Sequence, residues 1–318
     1  MISNDKITLS TLAKYAGVTT KTAGKVLRGE KSVRPYIREN VLKIARKYNY
    51  RPNLLAQALK KKTLNLISFH ITQLNIPFFG VLFETISTLL GEKGYIVAAC
   101  NGIHSINETN HMLFACATIM VSPEKSKVKE VVQRGALVTI DAYSPDIRFA
   151  SDISLSFKEA YKALTIELIE SKKSKITFFS YPEDKECFNV NYRKKFKYIE
   201  ETLSKNKLKL VIPPSGAFFS NPATLAKFIN DNPDEINAVC CNNDYAAISL
   251  INELRILNIR VPEDITVVGC DGIQLVKGLW TLSYNVSDIA EKVFLLLEKQ
   301  FKNKTKENIK VLPELLKI

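Results

Sequence analysis

The chain has 318 residues, 46% of them hydrophobic, and a formal net charge of +13. That length predicts two or more folded domains, and residues 63–318 are enough to bury a large core. No apolar run reaches the length a membrane span needs, and MISNDKITLS has no secretory apolar core, so a cytoplasmic protein is expected. The charge is segregated: Met1 to Lys62 holds 15 Lys+Arg against 3 Asp+Glu, leaving 30 against 29 for residues 63–318. A head of net +12 on a near-neutral body is the electrostatic footprint of a polyanion partner, with nucleic acid the first candidate.

The head contains three predicted helices. Leu9, Leu12, Ala13 and Ala16 recur at helical spacing behind Thr8 as N-cap, and Gly17 closes that helix. Thr19 caps a second helix from Thr20 to about Arg28, with Gly29 as its stop. Ala23, Val26 and Leu27 are expected to face inward, and Thr20, Lys21, Gly24 and Lys25 outward. Two short helices joined by a glycine turn form a helix-turn-helix, whose second helix enters a major groove by its N-terminal end. A third helix from Pro35 to about Tyr48 buries Ile37, Val41, Ile44 and Ala45 beneath them. A basic three-helix bundle without an operator has the same pattern.

These residues resemble the LacI/GalR family of bacterial transcription regulators. The resemblance is carried by Thr8-Leu9, Leu12-Ala13, Ala16-Gly17-Val18, Thr22, Val26-Leu27, Val41, Asn49-Tyr50-Arg51-Pro52-Asn53, Ala56 and Leu59. It implies base reading by Thr20, Lys21 and Lys25, and backbone or groove contacts from Thr8, Thr19 and Thr22. Gly24 and Lys25 stand where the family usually has Ser and Arg. Arg34 replaces a frequent capping Ser and is expected to contact phosphate instead. Asn53 to about Lys61 resembles the family's hinge helix. It is too short to be stable alone and would fold when two copies pack on DNA. Asn53, Ala56 and Leu59 then lie at the minor groove, with Leu59 as the wedge between base steps. A plain linker ending in solvated lysines is the other reading.

From Leu64 onward, short apolar runs alternate with amphipathic helices. Strands are predicted at Leu66–Ile71, Tyr95–Cys100, Thr118–Val121 and Ala136–Ile140, with helices at Phe78–Glu92 and Lys125–Arg134. A second set has strands at Ile176–Ser180, Lys209–Ile212, Ala238–Cys241 and Thr266–Cys270. Its helices are Glu159–Glu170, Arg193–Leu203, Ala223–Asn230 and Asp244–Leu257. Alternating βα units imply parallel sheets, and two sets imply two doubly wound subdomains with a cleft at the carboxyl ends of the strands. The expected organisation is a headpiece over 1–52, a hinge over 53–62 and a core over 63–318, split into 63–155 plus 285–318 and 156–284. Periplasmic sugar-binding proteins share this architecture, but a basic head and no signal sequence argue against that use.

The resemblance continues through Pro77-Phe78-Phe79, Glu92-Lys93-Gly94-Tyr95, Asn243-Asp244, Ile259 to Ile265, Val267 to Asp271 and the helix from Ile289 to Phe301. It implies an effector pocket in which Asn, Asp and Arg side chains bond the hydroxyls of a sugar-like ligand. Asn243 and Asp271 match. The family's arginine falls on Tyr192, with Arg193 one step out of register. Ile76, Gly272, Ser156-Phe157 and Lys172-Lys173 also depart from the pattern, and the stretch from Asn101 to Thr118 is about two helical turns short. Two readings stay open. Either the pocket takes a less hydroxylated small molecule stacked on Phe78 or Phe79, or it has decayed and the core mainly dimerises. Asn243 also reads as a helix cap, Asp271 as a turn residue, and Phe78 and Phe79 as core aromatics.

The six cysteines lack zinc spacing and read as reduced thiols. His70, His104 and His111 form no ligand or triad pattern, and neither a phosphate loop nor a nucleophile elbow is present. No cofactor, metal or catalytic function is expected. The expected protein is a homodimeric repressor on a pseudopalindromic double-stranded DNA operator, with a small-molecule effector and no membrane contact.

Overall fold

A computed structural model describes residues 7–51, 65–71, 76–101, 115–123, 125–131, 135–142, 144–180, 190–213, 221–273, 276–303 and 305–318. The chain divides into two compact units, Met1–Leu64 and Asn65–Ile318.

The first unit holds α1 (Leu9–Tyr15), α2 (Thr20–Leu27) and α3 (Pro35–Lys47). Gly17 and Gly29 take φ values of +65° and +76°. A side chain would strain either turn, so glycine ends both helices here. Leu12, Ala13, Ala16, Ala23, Val26, Val41 and Ala45 form the buried core. Asn40 on α3 donates to the carbonyl of Ala16 at 3.0 Å, satisfying the end of α1. Gly24 departs from expectation. It is buried, because the Arg28 side chain folds back over it and Leu9 lies beneath.

The second unit contains two sheets. The first has order β10-β5-β4-β3-β1-β2, built from β1 (Leu66–Ile71), β2 (Ile96–Asn101), β3 (Ala117–Val121), β4 (Ala136–Ile140), β5 (Ser151–Leu155) and β10 (Asn308–Val311). All its pairings are parallel. Every residue of β3 and β4 is buried, as a parallel sheet covered on both faces requires. Its helices are α4 (Pro77–Glu92), the short α5 (Lys125–Glu130) and, much later in the chain, Val286–Asn303. The second sheet has order β11-β9-β8-β7-β6, from β6 (Ile176–Phe179), β7 (Ala238–Cys241), β8 (Thr266–Asp271), β9 (Leu279–Ser283) and β11 (Glu314–Lys317). Helices α6 (Lys158–Glu170), α7 (Val190–Lys205), α8 (Pro222–Asp231) and α9 (Asp244–Ile256) pack with it, and Val286–Asn303 is α10.

Several elements differ from the sequence expectation. Lys209–Ile212 is a short apolar run expected as a strand, but among the described residues only Val211 N–H joins the sheet, to Ile176 O at 2.8 Å. Pro213 follows directly and has no donor to extend a ladder. The helix from Lys125 ends at Glu130. Strands β5, β9, β10 and β11 were not anticipated. The tail divides between the sheets. Asn308–Val311 runs parallel to β5, while Glu314–Lys317, beyond Pro313, lies antiparallel on β9.

One side chain ties α10 to the first sheet. Gln300 accepts from Leu137 N–H at 3.0 Å and donates to Leu137 O at 3.0 Å and Ser151 Oγ at 2.9 Å. The Gln300→Ala variant removes this partner from Leu137 N–H and O, so a loss of about 1–3 kcal/mol per group is expected, while Ser151 Oγ keeps Glu307 N–H at 3.3 Å. Urea unfolding should show a lower midpoint at unchanged slope. An unaltered midpoint would remove this bridge from the account.

Candidate nucleic-acid interface and effector cleft

The headpiece surface begins with two threonine caps. Thr8 accepts from Thr11 N–H at 3.2 Å, and Thr19 accepts from Thr22 N–H at 3.1 Å. The Thr19 and Thr22 hydroxyls also bond each other at 2.9 Å. These caps satisfy helix N–H groups and hold the first turn of α2 in place. Thr20 and Lys21 therefore stand exposed at the leading end of α2, and Lys25 follows one turn later, half-buried. No acidic residue sits in the first turn of α2 or α3, so nothing on either helix opposes an incoming phosphate there. Arg34 is exposed at the N-cap of α3 and makes no side-chain cap bond. Asn53, Ala56 and Leu59 lie outside the described residues.

In the second unit, Asn243 and Asp271 come from the carboxyl ends of β7 and β8. Asn243 is buried and caps α9, accepting from Ala246 N–H at 2.8 Å. Asp244 beside it is also buried. It accepts from Thr281 Oγ1 at 2.6 Å and from Ile273 N–H at 2.9 Å. A Cβ on Gly269 would lie 2.2 Å from Asp244 Oδ1, so the missing side chain in β8 is what admits this brace. Asp271 has φ +112°.

Lys195, which sequence reasoning missed, occupies the centre. Arg193 is exposed, whereas Lys195 is 8% exposed and donates to Asn242 O at 2.7 Å. Its ammonium lies 4.5 Å from the centroid of the Phe157 ring. Tyr192 lies on α7, but its side chain is outside the described residues. The signal was available: Lys195 shares a helical face with the fully buried Ile199 and with Thr202.

Desolvation pushes the Asp271 carboxyl up to about 8, against the pull of Lys195 and with a smaller push from Asp244. Aromatic rings complete the surroundings. Phe78 is buried, 6.3 Å from Tyr284 and 5.7 Å from the half-buried Phe79, and Phe157 lies 5.7 Å from Tyr284 and 6.2 Å from Tyr161. The buried Tyr284 hydroxyl and the Asn242 side-chain oxygen have no hydrogen-bond partner among the described residues.

His70 is buried in β1. Cys100, Cys116, Cys240, Cys241 and Cys270 are free thiols, while Cys187, His104 and His111 fall outside the described residues. Among the described residues, no helix is long and apolar enough to cross a membrane.

Comparison with known proteins agrees with this geometry. Residues 8–53 match the family described as bacterial regulatory proteins, lacI family, and residues 167–317 match the periplasmic binding protein-like domain. The HTH-type transcriptional repressor PurR of Vibrio atlanticus is 27% identical over 317 residues, covering 94% of this chain and 93% of its own. The ribose operon repressor of Lactococcus lactis is 24% identical over 291 residues, covering 84% and 82%. The solved structure of the lac repressor dimer, bound to operator and the anti-inducer ONPF, superposes with a TM-score of 0.78 at 18% identity over 98% of both chains. A helix-turn-helix headpiece on a doubly wound two-sheet core defines a DNA-binding transcription regulator. The chain thus carries a lacI-family DNA-binding domain and a periplasmic binding protein-like domain, the combination found in its repressor relatives.

The raised Asp271 pKa has a consequence for stability. A carboxyl that ionises near 8 when folded and near 3.9 when unfolded contributes fully below about pH 4. The contribution is lost as pH rises towards 8. Asp271→Asn cannot ionise, so its melting temperature should fall less than the parent's between pH 5 and 8. Parallel melting curves for the two proteins across that interval would contradict the assignment.

Proposed function

We propose that this protein is a sequence-specific transcriptional repressor acting as a homodimer on a pseudopalindromic operator. One observation carries the reading. An eight-residue helix, capped by Thr19, exposes Thr20 and Lys21 at its leading end with no acidic side chain in its first turn. In this proposal two copies of α2 enter successive major grooves, with Thr20, Lys21 and Lys25 at base edges. Thr8, Thr19, Thr22 and Arg34 hold the backbone. Residues 53–62 act as the hinge, with Asn53, Ala56 and Leu59 at the minor groove between half-sites. The relatives named as repressors and the operator-bound lac repressor dimer support this reading.

The core then serves as the sensor. Lys195 donates to Asn242 O beside the Phe157 ring, and Asp271, Asn243 and the oxygens of Asn242 and Tyr284, unpartnered among the described residues, lie near the carboxyl ends of β7, β8 and β9. Buried polar atoms without partners call for a ligand or a water. A small, flat molecule with an acceptor or anionic group for Lys195 fits that chemistry better than a polyol. Ligand closure of the core would couple to DNA affinity through a two-state shift. The alternative is a ligand-independent DNA binder. It is favoured by the mutual occupancy of Lys195 and Phe157, which already fill each other's surroundings.

Two measurements test these statements. Lys21→Ala and Lys25→Ala should each lose about 1–3 kcal/mol of discrimination between operator and random DNA. Arg34→Ala should weaken both alike and flatten the salt dependence. Equal losses on both duplexes for Lys21→Ala would refute its role in base reading. For the sensor, a thermal-shift screen of sugars, sugar acids and nucleobases should yield a saturable stabiliser whose effect falls in Lys195→Met. A screen with no saturable stabiliser would support the ligand-independent form.

A further inference from the structure

Arg28 follows α2 directly and stands one turn past Gly24 and two turns past Thr20, on one stripe of the helix. Long side chains on a helix lean towards its N-terminus, so Arg28 reaches back along the surface that carries Thr20 and Lys21. Gly24 leaves room for this: a Cβ there would lie 3.2 Å from Arg28 Nη1, a tight contact that the guanidinium would have to shift to relieve. The guanidinium is engaged by a single carboxylate. Arg28 Nε and Nη2 both donate to Glu30 Oε1, at 3.0 and 2.8 Å.

The Glu30 backbone is anchored at both ends. Its N–H donates to Lys25 O at 3.1 Å across the Gly29 turn, and its carbonyl accepts from Arg38 Nη2 on α3. The Arg28–Glu30 pair is about half exposed, and such a pair is weak in water. A carboxylate therefore holds, at low cost, a fork whose geometry equally suits two phosphate oxygens or guanine O6 and N7.

We propose that Arg28 is a further DNA-contacting residue. Gly24 seats it against the recognition helix, and Glu30 is a built-in acceptor that the duplex displaces on docking. The inference rests on α2 being the DNA-facing helix, as proposed above. The exchange breaks two guanidinium–carboxylate hydrogen bonds and forms two to the duplex. Glu30 is left carrying its charge near DNA, which makes it a brake on affinity. A side chain at position 24 would crowd Arg28 Nη1, so the two positions are tested together.

The test measures binding of full-length protein to operator and to random duplex over a range of ionic strengths. Arg28→Ala should weaken binding about fivefold or more. A loss on both duplexes, with the salt slope reduced by roughly 0.9, assigns a phosphate partner. A loss confined to operator assigns guanine. Glu30→Gln should tighten binding by more than Glu39→Gln, a charge-matched control on α3. In an Arg28→Ala background the Glu30→Gln gain should shrink to the size of the control. Gly24→Leu should weaken binding in the parent and not in the Arg28→Ala background. Unchanged affinity of Arg28→Ala on both duplexes would overturn the proposal, as would weaker binding by Glu30→Gln. Parent protein that failed to prefer operator over random duplex would count against the base-reading role of α2, whatever Arg28 does.

Discussion

A helix leaves its first N–H groups without partners, and in both units this requirement decides which polar side chains remain available for a ligand. In the headpiece the caps are Thr8 and Thr19. Because a threonine spans the gap, Thr20 and Lys21 are spared and face outward. In the core the cap on α9 is Asn243, and its neighbour Asp244 is committed to Thr281 and Ile273. Near the strand ends Lys195 is engaged by Asn242 O, and Asp271 and the oxygens of Asn242 and Tyr284, unpartnered among the described residues, remain. The same constraint leaves exposed Thr20 and Lys21 at the start of α2 and commits Asn243 to the start of α9.

Charge segregation acts on a second scale. The head holds nearly all the net charge of the chain and the core is close to neutral. A long-range field from one small unit steers it towards a polyanion without destabilising a large core by self-repulsion. Within that field Glu30 is one of only three acidic residues before Lys62, and it grips Arg28. A carboxylate so placed tunes affinity without touching the fold, since the surface pair contributes little to stability.

The parts read correctly from sequence share a local cause. Helices α1 to α3 follow from caps, glycine stops and Pro35, each acting within a few residues. The fully buried runs in β3 and β4 and the alternation of strand with helix led to the parallel sheets. Misreadings came where a partner distant in sequence decides. Glu314–Lys317 is a strand because β9 offers it a ladder, whereas the more apolar Lys209–Ile212 gains only one sheet bond among the described residues. Gly24 looked outward by periodicity, and Arg28 buries it. Lys195 belongs to a residue type that is mostly exposed, yet it is buried on α7.

The amino-acid order alone determined the headpiece, its charge, the βα rhythm and the family, because those depend on spacing along the chain. Tertiary structure alone decided which charged groups are already engaged. Asp244, Lys195 and Arg28 are ordinary surface-type residues as letters. Each acquires its role from a neighbour brought close by folding: the empty Cβ space of Gly269, the Phe157 ring and Asn242 carbonyl, and the bare backbone of Gly24. Burial and pairing are properties of three-dimensional packing, and no local pattern encodes them.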